Sequence, residues 1–169
     1  MHIHHFSPTL EISTNKLWGA HFAVPDFVYN ALAEEDRRVI CVLNEAIEYQ
    51  CAMLPRGDGT YLITVNKKIR DQLKLKEGSR FNVSLSKDTS KYGLPMPEEF
   101  AEVLAQDVEG DNLFHALTAG KIRTLLYIAG NVKSSDKRIE RALAIVEHLK
   151  INGGKIDFKT LYLRIAEGK

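Results

Sequence analysis

GTYLITVNKKIRDQLKLKEGSRFNVSLS, residues 59–86, reads as a strand, a short helix and a second strand. GAHFAVPDFVYNALAEEDRRVICVLN, residues 19–44, has the same order 41 residues earlier, with Val24 standing where Val65 stands. At that offset Val28 falls on Ile69 and Leu32 on Leu73, so the apolar positions of each short helix recur at a spacing of four. Two strands and a two-turn helix cannot hide their apolar faces alone, and two copies in one chain therefore predict a shared core.

Working outward, residues 5–13 and 17–24 read as strands, and Pro25 opens the first short helix, where its missing N–H costs nothing. Residues 38–43 and 47–54 read as a hairpin turning at Asn44, Glu45 and Ala46. Arg56, Gly57, Asp58 and Gly59 make the next turn. The first three also spell an adhesion tripeptide, but without an export signal the turn reading is favoured. Asn66 suits the cap of the second short helix, and Phe81, Val83 and Leu85 alternate with polar residues along a last strand, 80–85.

Residues 87–97 are polar and broken by Gly93, Pro95 and Pro97, and beyond them the apolar period becomes helical. Phe100, Val103 and Leu104 mark one helix, Leu113, Phe114 and Leu117 a second, and Ile122, Leu125, Leu126 and Ala129 a third. The longest, about 135–149, has Ile139, Ala142, Leu143, Val146 and Leu149 as its expected apolar stripe, and a last helix starts near Asp157. The expected division is a barrel domain at 4–88, a linker at 89–97 and a helical region at 98–169.

The second copy, through Val65, Lys67, Ile69, Arg70, Leu73, Leu75 and Gly78, resembles the swapped-hairpin pattern of the AbrB-like and MazE-like transition-state regulators, with Asn66 where their proline stands. Trp18, Pro25, Leu54, Gly57, Asp58, Gly59 and Asn66 resemble family 1905 of the domains of unknown function. Pro97, Phe114, Leu117, Lys133, Arg138 and Ile139 resemble the YdeI/OmpD-associated C-terminal region, which tends to carry a Glu-Thr-Arg run where this chain has Ser134, Ser135 and Asp136. The resemblances imply an α+β fold: a pseudo-symmetric double-split β-barrel of AbrB-like half-barrels in tandem, followed by a small helical annex. They imply no established reaction.

The 169 residues are 44% hydrophobic and 27% charged, an ordinary globular composition. Leu125–Ala129 is far shorter than a bilayer-spanning helix requires, and residues 1–6 lack the pattern of a secretory signal, so no membrane insertion and a cytoplasmic location are expected. Cys41 and Cys51 are expected as buried free thiols. The net charge of +1 conceals a split: residues 1–118 hold 12 Lys/Arg and 17 Asp/Glu, residues 119–169 hold 11 and 5.

Helical spacing aligns Lys137, Arg141 and His148, with Arg138 adjacent and Lys133 just before, as a candidate flank for nucleic acid or another anion. Glu140 and Glu147 interrupt it and no aromatic platform accompanies it, which favours a solvated helix face. Lys67, Lys68 and Arg70 offer a weaker version, which the acidity of residues 1–118 opposes. His2, His4 and His5 suit a borderline metal only adventitiously, and His21, His115 and His148 read as packing or surface residues rather than bases. No serine elbow, phosphate loop, HExxH or paired CxxC occurs in the sequence.

The expectation is a non-enzymatic binding or stress-response accessory protein without cofactor or metal, acting on a protein or peptide partner. Nonspecific nucleic-acid binding through the basic flank is the alternative, and the sequence is silent on oligomeric state.

Overall fold

Asn44 and Glu45 both adopt left-handed backbone, with φ of 49° and 55°, in a three-residue hairpin connection whose Ala46 N–H donates back to the Leu43 carbonyl at 3.0 Å. They join β4 (Arg38–Leu43) to β5 (Ile47–Ala52) in the register Leu43↔Ile47 to Arg38↔Ala52. The computed structural model describes residues 1–14 and 17–168; Lys169, the end of the expected helical region, lies outside the described residues. The chain divides into two units, residues 1–89 and 90–169.

In the first unit β1 (Ile3–Phe6), β2 (Glu11–Ile12) and β3 (Ala20–Val24) lead into α1 (Asp26–Leu32). After β4 and β5 come β6 (Leu54–Pro55), β7 (Tyr61–Thr64), α2 (Lys67–Leu73) and β8 (Val83–Lys87). The strands form two antiparallel four-stranded sheets, ordered β1-β8-β4-β5 and β2-β3-β7-β6. Among the described residues no hydrogen-bonded ring closes them into a barrel; a bridge between Thr9 and Arg80 lies outside the named strands.

One core draws on both sheets and both short helices. Phe22, Val24, Val28 and Leu32 from residues 19–44 pack with Ile63, Val65 and Ile69 from residues 59–86, and Phe22 meets Phe81 edge-on at 5.4 Å between ring centroids. The strand expected over residues 5–13 is split into β1 and β2, with residues 7–10 outside the named strands, and the last strand runs from Val83 to Lys87 rather than over 80–85. Asn66 caps α2 as expected, its side-chain oxygen accepting from the Ile69 N–H at 2.9 Å, whereas Pro25 offers α1 no side-chain cap. The turn at Arg56 is closed by its backbone bond to Thr60 and by Asp58, with Gly57 and Gly59 at φ 98° and 89°.

The second unit holds α3 (Glu98–Gln106), α4 (Val108–His115), α5 (Ala119–Gly130), α6 (Ser135–Ile151) and α7 (Phe158–Ala166), making seven helices among the described residues. Tyr92, Leu94 and Met96 of the segment before α3 pack on this helical core. Helix α6 is its centre and contacts α3, α4, α5 and α7. Where α4 crosses α6, Gly110 brings backbone against Val146 so closely that a Cβ there would overlap the valine Cγ1.

The apolar stripe of α6 differs from the expected one. Ala142, Ile145, Val146 and Leu149 are buried, but Ile139 is 38% and Leu143 54% exposed. No helix among the described residues is long and apolar enough to cross a membrane.

Candidate functional site

Ser134 caps α6 by accepting from the Lys137 N–H, and Asp136 sits in the first turn, where the helix dipole favours negative charge. This start brings Lys133, Lys137, Arg138 and Arg141 to one end of the helix, but the structure gives most of them intramolecular partners. The Lys137 ammonium pairs with Glu140 at 2.9 Å. The Arg138 guanidinium holds Glu99 at 2.8 Å and donates to the carbonyls of Val132 and Lys133, closing the turn between α5 and α6. Arg141 donates to the Ile128 carbonyl at 2.7 Å, on the neighbouring α5. Of the flank, Lys133 and Lys137 stay exposed.

His148 leaves the group entirely. It is 1% exposed, and its Nε2 accepts the Asp157 backbone N–H at 3.1 Å. That bond requires an unprotonated Nε2, and burial, with Arg164 nearby, lowers its pKa. An exposed anion-binding role does not fit such a residue; it is a core histidine that fixes the start of α7.

The charge split also relocates. Residues 1–89 carry 11 Lys/Arg and 11 Asp/Glu, so the sheet unit is neutral rather than acidic. The acid excess lies on α3 and α4, inside the same unit as the basic helices, and the two meet there. Glu99 is held down to about 2 by its hydrogen bonds from Arg138, and Asp107 is lowered by its bond from Lys150 at 2.7 Å.

Two depressions remain on the helical unit. One, about 540 Å³, is lined by Leu94, Pro95, Pro97, Leu126 and Tyr127, with the Glu99–Arg138 pair beside them. The other, about 580 Å³, lies between α6 and α7, with Leu143, Val146 and Ile165 as apolar lining and Lys137, Glu147 and Arg164 among its charges. Its volume falls in the range of about 300–1,000 Å³ typical of ligand sites.

A third constellation escaped the sequence reading. Tyr92 Oη lies 2.7 Å from His115 Nε2, and His115 Nδ1 lies 3.0 Å from Asp111 Oδ1. The spacing of four between Asp111 and His115 is legible on a helix; the approach of Tyr92, in an irregular segment 23 residues away, is not.

In the sheet unit both cysteines are free, and hydrogen bonding to Cys41 together with burial pushes the Cys51 thiol well up, away from a reactive thiolate. His5 contacts Ser84 at 2.8 Å, and the described residues contain no group of three or more His, Cys, Asp or Glu placed to hold a metal.

No curated protein matches this chain. Residues 6–85, which span both sheets and both short helices, carry a domain described as Domain of unknown function (DUF1905).

Proposed function

We propose that this chain is a non-enzymatic binding or stress-response accessory protein of the kind the YdeI/OmpD-associated resemblance implies, with its protein or peptide partner received by the helical unit. The observation that carries this reading is the α6–α7 groove, whose lining includes a leucine, Leu143, that is 54% exposed. A partner side chain of apolar character would cover Leu143, Val146 and Ile165, with Glu147 and Arg164 at the rim. Leu143→Glu leaves the buried stripe of α6 intact and fills the groove with charge. Capture of a protein or peptide and thermal shifts from ligand libraries should be lost in that variant at an unchanged melting temperature. Capture that survives the substitution argues for another surface.

The same proposal includes a sheet unit built from two AbrB-like halves about a pseudo-twofold axis. Exchanging β1 with β5, β2 with β6, β3 with β7 and β4 with β8 turns each sheet order into its own reverse. Phe22 pairs with Ile63, the residue 41 positions on, which is the sequence offset of the repeat. The pairs Val42↔Ser84 and Leu43↔Val83 straddle the corresponding point of the other sheet. These registers support the double-split arrangement.

Nonspecific nucleic-acid binding is the competing reading. It needs several uncommitted cations on one face, and the pairings of Lys137, Arg138 and Arg141 weigh against it. It predicts retention on duplex DNA that falls steeply with salt and disappears in the Lys137→Glu, Arg141→Glu double variant.

A further inference from the structure

We propose that Tyr92 is a covalent acceptor site for activated acyl groups, with His115 as its general base and Asp111 as the residue that positions the imidazole. The hydrogen-bond directions follow from the partners. His115 Nδ1 faces two acceptors, the Asp111 carboxylate and the Asp111 carbonyl, each at 3.0 Å, so this nitrogen carries the proton and donates. In the neutral ring Nε2 is then a bare acceptor, and Tyr92 must direct its O–H toward it across 2.7 Å. A nucleophile within hydrogen-bond reach of a base, with the base oriented by a third group, is the general arrangement for covalent chemistry, and tyrosine is among the residues that serve in it.

Packing fixes the geometry. The His115 ring stands edge-on to Phe114 at 5.1 Å, and Tyr92 tilts against Phe114 at 6.3 Å. Phe114 is itself fully buried, so both partners rest on the rigid part of the helical core. The Lys91 ammonium lies 5.2 Å from the Tyr92 ring centroid, where its charge favours the phenolate character the ring gains as its proton passes to His115.

In the step, Tyr92 Oη attacks the carbonyl carbon of an activated ester as its proton passes to His115 Nε2. The tetrahedral species then collapses, the bond from carbonyl carbon to leaving group breaks, and the leaving group takes the proton from Nε2. The balance is Tyr92 O–H plus acyl–X giving the Tyr92 acyl ester plus H–X. The product is an ester on the protein, not a turnover, so the site is independent of the binding role proposed above.

The test incubates the full chain with p-nitrophenyl acetate and maps acetylation by mass spectrometry, using lability to hydroxylamine to separate tyrosine esters from acetylated lysines. Tyr127, 62% exposed, and Tyr162, 53% exposed, are internal comparators. Tyr92 should acetylate about 10-fold or more faster than either, a modest share of the ~10²–10⁴ typical of general-base assistance. In His115→Gln, whose amide still accepts the Tyr92 hydrogen bond but takes no proton, Tyr92 should fall to the comparator rate. Asp111→Asn should give an intermediate rate at an unchanged melting temperature. Overturning results are a Tyr92 no faster than Tyr127 in the unsubstituted chain, or a fast Tyr92 in His115→Gln.

Discussion

The two units treat charge in opposite ways. Residues 1–89 carry equal numbers of acids and bases, with pairs at the periphery such as Glu11–Arg56 and Asp36–Lys87, around one core that draws on both sheets. Residues 90–169 carry 12 Lys/Arg and 11 Asp/Glu but sort them by helix, acids on α3 and α4, bases mainly on α5, α6 and α7, and then join the two sets through Glu99–Arg138 and Asp107–Lys150. A charge excess counted along the sequence therefore says little about an external partner until the boundary of the folding unit is known. Here it marks an internal interface of the helical unit. The groove with exposed Leu143 and the Tyr92–His115–Asp111 chain both belong to the helical unit.

Removing a residue from the shared sheet core should have the largest effect. Phe22 is fully buried between Phe6 and Phe81, and Phe22→Ala should cost about 3–5 kcal/mol in denaturant unfolding. A much smaller loss would mean the two copies do not depend on one another. In the helical unit Gly110→Ala should cost about 1–3 kcal/mol, because the added methyl group meets Val146. Cap removal sharpens the comparison of the two repeats: Asn66→Ala should lose about 1 kcal/mol, and no equivalent loss is available at Pro25.

The smallest effect concerns pH. Glu99 titrates at about 2 in the fold against an ordinary 4.5, so its pairing stabilises fully above pH 4.5 and fades as the pH falls from there toward 2. Glu99→Gln should flatten that part of the stability curve, read by thermal melts across pH; an unaltered acid limb would show that the α3–α6 pair carries no weight.

Much of the fold was legible because the signals were local. The Asn66 cap, the turn at Asn44 and Glu45, and the change from strand to helical period at Pro97 each rest on a few neighbouring residues. Sheet order was not legible, since the ladders join β1 to β8 and β3 to β7 across most of the unit. The basic flank was read from spacing on a single helix, and spacing does not reveal that Arg138 meets Glu99, 39 residues earlier, or that His148 turns inward to the backbone of Asp157. The exposure of Leu143 was hidden for the same reason: periodicity shows that a stripe is apolar, not how much of it neighbouring helices cover.

Partner binding by the helical unit is tested most directly by amide chemical-shift mapping of the isotopically labelled full chain against a fragment library. Shifts should gather at Leu143, Val146, Arg164 and Ile165 and vanish in Leu143→Glu. Shifts gathering within residues 1–89, or persisting in that variant, would contradict it.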